Sequence, residues 1–290
     1  MSQNISYIAF QGAPGAFSDL ACRSVFPNME SLSCGSFDEA FQCVADGRAE
    51  LAMIPIENSI AGRVADVHRL IPKHELHIIG EHFSPISHCL LGVKGSSVES
   101  IKRIHSHVHA IPQCLKFIQK NKYHPIVASD TAAAAAYVAE TGSSSEGAIA
   151  STLAAEIYNL EILKEDIQDE NINTTRFIIL SKKKNEIALS EKCITTMLFN
   201  VRHLPAALYK ALGGFATHGI NLLKLESYVD TQFQNAKFYI DVEGHADSDH
   251  FKSAMEELSF YAGTVKILGT YKSHPYREFL IQNGLTKEQA

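Results

Sequence analysis

The sequence predicts an α/β protein: two lobes of alternating strand and helix, then a smaller α+β module. Three observations predict it. Apolar runs such as Tyr7-Ile8-Ala9-Phe10, Leu51-Ala52-Met53-Ile54 and Phe177-Ile178-Ile179-Leu180 have the length of buried strands. Helical stretches that open on Ser, Thr or Asp separate such runs through the first two thirds of the chain. Past the charged stretch Ser181-Lys182-Lys183-Lys184-Asn185 the pattern changes to βαββαβ, a ferredoxin-like split βαβ arrangement.

In chain order, strand 6–10 leads into Gln11-Gly12-Ala13-Pro14-Gly15-Ala16-Phe17-Ser18, where Gly and Pro permit a tight turn and Ser18 is expected to cap helix 19–26. Ser36 caps helix 37–45. Strand 51–54 is expected to break at Pro55, followed by Glu57-Asn58-Ser59 and helix 64–70. Runs 76–79 and 88–93 are strand-like, and the chain crosses to a second lobe between them. There the prediction is strand 101–105, a polar turn 106–112, helix 113–119 and strand 126–128. Ser129-Asp130-Thr131 then caps helix 132–139, strand 147–150 follows, and Ser151-Thr152 opens helix 153–158. The chain returns through 162–169 to the Thr-Arg-Phe strand. The expected boundaries are lobe 1 at about 1–80 with 163–181, lobe 2 at about 81–162, and a linker at 182–193. The split βαβ module covers 194–272 and a tail 273–290. Strand–helix alternation implies mostly parallel sheets, with ligand groups at strand C-termini and helix N-termini.

Composition narrows the function classes. The chain has 290 residues, 46% hydrophobic and 20% charged, which suits a globular protein of more than one domain. A net charge of −6 argues against nucleic-acid binding. Six cysteines without metal-ligand spacing read as reduced, mostly buried thiols of a cytoplasmic protein. The N-terminal residues lack the pattern of a signal peptide, and no apolar run is long enough to span a membrane. His105, His107 and His109 alternate, but no Cys or acid completes a ligand set, so no metal is expected. Neither a P-loop nor G-x-G-x-x-G occurs, so no nucleotide or other cofactor is expected.

The chemistry-bearing residues gather at the turns. Gln11–Ser18, Asn58-Ser59, Ser106, Ser129–Thr131 and Ser151-Thr152 all offer backbone N–H groups to a carboxylate or phosphate, though each also serves as an ordinary helix cap. Asn173-Thr174-Thr175-Arg176-Phe177 places two hydroxyls, a guanidinium and a ring at the mouth of a buried strand. Glu57-Asn58 is either a substrate-facing acid and amide or a loop pair bonding local backbone.

Five pieces in order carry a family resemblance: Gln11-Gly12 with Gly15-Ala16 and Ser18; Pro55-Ile56-Glu57-Asn58-Ser59; Ser106-His107 with Gln113-Cys114; Asp130-Thr131-Ala132; and Asn173 through Phe177. Together they resemble monofunctional prephenate dehydratase, a catalytic domain with a periplasmic-binding-protein-like fold followed by an ACT regulatory domain. The resemblance implies conversion of prephenate to phenylpyruvate, water and CO2 in phenylalanine biosynthesis. It makes Thr175 the hydrogen-bond or proton donor to the leaving hydroxyl, with Asn58, Ser106 and Gln113 completing the network. Glu57 becomes a steering group or proton source, and Arg176 a carboxylate clamp. Thr174, Ser129 and Thr131 join the substrate-facing set, as does Phe177, whose main task is to pack the strand.

The module at 194–272 resembles an ACT domain, with Ala206 standing where the family has Gly and Tyr228-Val229 where it has Arg-Pro. Asn200, Ala206, Leu208, Asn221, Leu222 and Glu226 form the expected L-phenylalanine effector site. A homodimer or homotetramer is implied. Arogenate dehydratase and a non-catalytic amino-acid sensor remain rival readings.

Overall fold

The computed structural model describes residues 5–170, 172–229 and 236–282. It divides into two compact units, Met1–Leu70 with His82–Phe177, and Ile71–Glu81 with Ile178–Ala290.

The first unit opens with β1 (Tyr7–Gln11), α1 (Phe17–Val25), β2 (Glu30–Cys34), α2 (Phe37–Ala45), β3 (Leu51–Asn58), β4 (Gly62–Arg63) and α3 (Ala65–Leu70). After β5 (His77–Pro85) come β6 (Cys89–Gly92), β7 (Arg103–His107), α4 (Ala110–Gln113), α5 (Leu115–Asn121) and β8 (His124–Ala128). Then follow α6 (Thr131–Thr141), β9 (Glu146–Ala150), α7 (Thr152–Ile157), β10 (Glu161–Lys164) and β11 (Thr174–Ser181). One sheet has the order β2-β1-β3-β11-β5 with β4 paired to β3, and the other β10-β6-β9-β7-β8.

Local chemistry explains most helix starts. Ser36 accepts from Glu39 N, Asp130 from Ala133 N and Ser151 from Ala154 N, each cap contributing about 1 kcal/mol. The helix after β1 behaves differently. It begins at Phe17, its N-cap Ala16 makes no side-chain bond, and Ser18 lies buried inside it, so Ser18 is not the cap. The acceptor there is Asp19, whose Oδ2 takes Gly15 N at 2.8 Å.

Other expectations need correction. Strand β3 continues through Pro55 to Asn58, since it pairs with β1 at Leu51 and Ala52 and Pro55 leaves that ladder intact. The stretch β2, Glu30–Cys34, carries too few apolar residues to announce itself, yet it pairs in parallel with β1. The expected turn at 106–112 is instead the end of β7 and the short helix α4, with Pro112 inside it. The second sheet is mixed: β7 runs parallel to β8 and β9, but β6 is antiparallel to β9 and β10.

The two lobes of this unit are laced at the Gly12–Ala16 turn. Ser151 Oγ donates to Gly15 O at 2.6 Å, Tyr158 Oη to Pro14 O at 2.9 Å, and Ala13 N to Asp130 Oδ2 at 3.2 Å. Gly15 has φ +90°, and a Cβ there would sit 2.8 Å from Ala154 Cα, so only glycine fits the approach.

In the second unit β12 (Cys193–Val201), α8 (Ala207–Thr217), β13 (Leu222–Val229), β14 (Ala236–Glu243), α9 (Asp249–Tyr261) and β15 (Ala262–Lys272) follow the expected βαββαβ order. Its antiparallel sheet runs β13-β14-β12-β15. Met197, Phe199, Phe215, Ile240, Phe251 and Leu258 join sheet and helices in one core. Gly214 on α8 lies where a Cβ would meet Ala254 O of α9 at 2.9 Å. The tail forms α10 (Pro275–Gln282), held to the unit by Arg277 Nε and Nη2 on the Glu81 carboxylate at 2.6 and 2.8 Å. Residues 283–290 of the expected tail lie outside the described residues.

Candidate active site

A cavity of about 610 Å³ opens within the first unit. Its wall includes Phe17 and Ser18 of α1, Pro55 and Asn58 of β3, Arg63, His88, His107, His109, Gln113, Thr131, Thr175 and Phe177. These come from the ends of strands and the starts of helices in both lobes, the usual location for a ligand in α/β folds.

The hydrogen bonds begin at a turn. Asn58 Oδ1 accepts from Ile60 N and Ala61 N at 3.0 and 2.8 Å, so the side chain closes the loop that β4 returns from. Its Nδ2 is thereby aimed at the neighbouring strand end, where it donates to Thr175 Oγ1 at 2.9 Å and Asn173 Oδ1 at 2.8 Å. Asn173 Nδ2 in turn donates to Gln113 Oε1 at 2.8 Å. His88 Nε2 meets the same oxygen at 2.8 Å, and its ring stands edge-on to Phe17 at 5.2 Å. Burial pushes the His88 imidazole below its ordinary value, with the Gln113 bond opposing the shift. His107 is also lowered, first by burial and then by the neighbouring His109.

The sequence-selected residues fall into distinct places. Asn58, Gln113, Thr131, Thr175 and Phe177 line the cavity. Ser106 is fully buried inside β7 and donates to Ile149 O at 2.7 Å. Arg176 is buried, paired with Glu57 at 3.1 Å, and lies 5.9 Å from the Phe83 ring centroid, and neither member of that pair is among the wall residues. Thr174 donates its backbone N–H to Ser59 Oγ at 3.0 Å, and Ser129 is exposed. Sequence reasoning missed His88, Arg63 and Phe17 as wall residues, and it set aside His107 and His109. Arg63 and His88 stand in otherwise ordinary sequence, so nothing local marked them. Asn173 belonged to the favoured stretch but was given no task.

In the second unit, Ala206 and Leu208 line a pocket formed by Val201–Tyr209 and Ala236. Asn200 is engaged by Thr264 N and Oγ1 at 2.6 and 2.9 Å, and Glu226 by Lys224 Nζ at 3.3 Å. Leu222 begins β13 and Asn221 immediately precedes it, and neither lines that pocket.

All six cysteines are free and buried, and burial holds the thiols of Cys34 and Cys114 up at about 12. Among the described residues no cluster of three His, Cys, Asp or Glu could hold a metal ion. Nor, among them, is any helix long and apolar enough to cross a membrane.

Fold and cavity together define a two-lobed α/β enzyme with a hydroxyl-and-amide cleft. The model of the prephenate dehydratase family matches residues 8–185. A bifunctional N-acyl-homoserine lactone acylase/prephenate dehydratase from Komagataeibacter europaeus is 47% identical over 272 residues, covering 93% of this chain and 97% of that protein. Arogenate dehydratase/prephenate dehydratase 1 of Arabidopsis thaliana is 39% identical, covering 91% of this chain and 71% of that one. The crystal structure of a prephenate dehydratase from Arthrobacter aurescens in complex with L-Phe superposes with a TM-score of 0.85 at 29% identity, covering 97% and 98% of the two chains. The chain belongs to the prephenate dehydratase family, whose members are lyases, and its catalytic fold is the periplasmic-binding-protein-like one.

Proposed function

We propose that this chain is a prephenate dehydratase that removes the ring carboxylate and the C4 hydroxyl of prephenate, giving phenylpyruvate, CO2 and water. The observation that carries the reading is the bond from Asn58 Nδ2 to Thr175 Oγ1 at the cavity wall. An oxygen that already accepts from an amide has its own O–H polarised and available as a donor. As the C–CO2 bond breaks, its electron pair enters the ring, the ring becomes aromatic, and the hydroxyl departs as water with one proton taken up from solvent. Thr175 supports that departure by hydrogen bonding, a role suited to its poor acidity. Aromaticity supplies the driving force, so no electron-sink cofactor is called for. Arg63, His107 and His109 along the wall suit a dicarboxylate ligand. The Arg176–Glu57 pair supports the strand ends that carry Asn58 and Thr175.

The βαββαβ order of the second unit, with its sheet order, supports an ACT module, and the pocket bearing Ala206 and Leu208 supports L-phenylalanine as effector. The complex of the Arthrobacter protein with L-Phe is in keeping with this. In this reading Asn200, Asn221, Leu222 and Glu226 contribute through a homodimer or dimer of dimers, and the enzyme works in the cytoplasm.

Two rivals are tested by the same assay. Arogenate differs in carrying an amine where prephenate has a keto group. The name of the Komagataeibacter relative adds acyl-homoserine lactone hydrolysis. Acyl transfer needs a hydroxyl or thiol activated by a base. Thr175 Oγ1 accepts from the amide donor Asn58 Nδ2, which favours the hydroxyl as donor and not as nucleophile. Purified protein is to be incubated separately with prephenate, arogenate and an N-acyl-homoserine lactone, with and without L-phenylalanine. Phenylpyruvate from prephenate, suppressed or altered by L-phenylalanine, is the expected result. Phenylalanine from arogenate alone, or no product from either, overturns the reading.

A further inference from the structure

The amides along the cavity wall have a polarity that follows from one end to the other. Backbone N–H groups only donate, so Ile60 and Ala61 fix Oδ1 of Asn58 toward the turn and Nδ2 toward Asn173 and Thr175. Asn173 must then present Oδ1 to Asn58 and Nδ2 to Gln113. Gln113 therefore turns Oε1 into the network, which leaves its Nε2 amino group on the other side. The fourth member, His88, reaches the same Oε1 through Nε2 at 2.8 Å. A carboxamide oxygen only accepts, so Nε2 of His88 carries the proton. Its other nitrogen, Nδ1, is buried without a hydrogen-bond partner.

We propose that His88, as the neutral Nε2–H tautomer, is a positioning residue that locks the Gln113 carboxamide with its amino group toward the ligand, where it serves a carboxylate or keto oxygen. This rests on the dehydratase reading above and assigns Gln113 a donor's part in it. Two donors, from Asn173 and His88, converge on one oxygen of Gln113, so flipping the amide would set its amino group against both. Protonation of the ring would place a second N–H at Nδ1, where no acceptor stands, and burial lowers the imidazole accordingly. His88 is itself held from outside the cavity, its backbone N–H donating to Gln168 Oε1 at 2.9 Å and its carbonyl accepting from Ile167 N at 3.0 Å. A hydrophobic residue could fill the same space; only a donor can orient Gln113.

The test combines a spectroscopic and a kinetic readout. Nitrogen-15 and proton NMR of the wild-type imidazoles, with His88 assigned through its contact with the Phe17 ring, is expected to give the Nε2–H tautomer at neutral pH. His88→Leu is expected to lower kcat on prephenate by about tenfold or more while KM moves by less than about threefold, as loss of orientation predicts. His88→Gln, whose amide N–H can reach the same oxygen, is expected to recover most of that loss. An Nδ1–H or doubly protonated ring overturns the proposal, as does a folded His88→Leu enzyme with wild-type kcat. If both variants fail to fold, the wild-type tautomer decides. Should the wild-type enzyme form no phenylpyruvate, the dehydratase reading falls while the tautomer still decides the role of His88.

Discussion

Asn58 donates its amide to the Thr175 hydroxyl at 2.9 Å across 117 residues of sequence. The bond orients the one proton of that hydroxyl away from Asn58. Removing the hydroxyl should therefore affect chemistry far more than folding. Thr175→Ala is expected to reduce kcat by about 10²–10³-fold, as loss of a transition-state donor does. Its stability cost should stay near 1 kcal/mol, because Asn58 Nδ2 keeps Asn173 Oδ1. Phenylpyruvate formation and thermal unfolding measure the two effects, and Thr175→Ser should restore much of the first. Full turnover in Thr175→Ala would remove Thr175 from the mechanism.

Gly15 accepts Ser151 Oγ at its carbonyl while its own backbone takes φ +90°. In Gly15→Ala both the dihedral and the 2.8 Å approach to Ala154 Cα are unfavourable, so about 2–4 kcal/mol of stability should be lost. Ser151→Ala removes the cap and the Gly15 bond without steric conflict and should cost about 1–2 kcal/mol. Urea unfolding ranks them. Equal effects would show that the turn can relax.

Glu146 is buried beneath Arg103, with Nε at 2.8 Å and Nη2 on the same oxygen, and His105 Nε2 at 2.7 Å on the other. The Arg103 bond, ahead of that from His105, holds its carboxyl below the ordinary 4.5. A carboxyl depressed in the folded state binds fewer protons folded than unfolded, so it stabilises above pH 4.5 and the contribution fades as pH falls further. Glu146→Gln should therefore lose about 1–3 kcal/mol near neutrality, toward the lower end because Arg103 is more than half exposed, and should unfold less steeply with acid below pH 4.5. Unfolding across pH 3–7 tests this, and an unchanged acid slope would contradict it.

Ala206 occupies the left-handed region at φ 58° and ψ 24° as N-cap of α8, a conformation that costs a residue bearing Cβ about 1 kcal/mol. Ala206→Gly should raise stability by up to that amount and lift Tm by about 2–4 °C if the unit unfolds cooperatively. A lower Tm would indicate that the Ala206 methyl packs productively in its pocket.

The short apolar strands, the caps at Ser36, Asp130 and Ser151, and the βαββαβ order were legible because each depends on residues a few positions apart. The Thr175 stretch was likewise visible as polar groups heading an apolar run. The first helix start was not, since Gly15 takes its acceptor from Asp19 inside the helix and not from a hydroxyl cap. β2 escaped because its parallel pairing with β1, and not its composition, makes it a strand.

The sequence by itself determined the apolar strands, the caps at Ser36, Asp130 and Ser151, the family and the residue types available for chemistry. Tertiary packing decided which of them meet. It brought Asn58, Gln113 and Thr175 to one wall through Asn173, turned Ser106 to the Ile149 carbonyl, and paired Arg176 with Glu57. It also added His88, which no motif announced. A cap or an apolar run is a local balance of backbone bonds and side-chain burial. A bond between residues 117 positions apart exists only once β11 has come to lie beside β3 in one sheet, and one between residues 60 apart only once Asn173 and Gln113 have been folded to the same cavity.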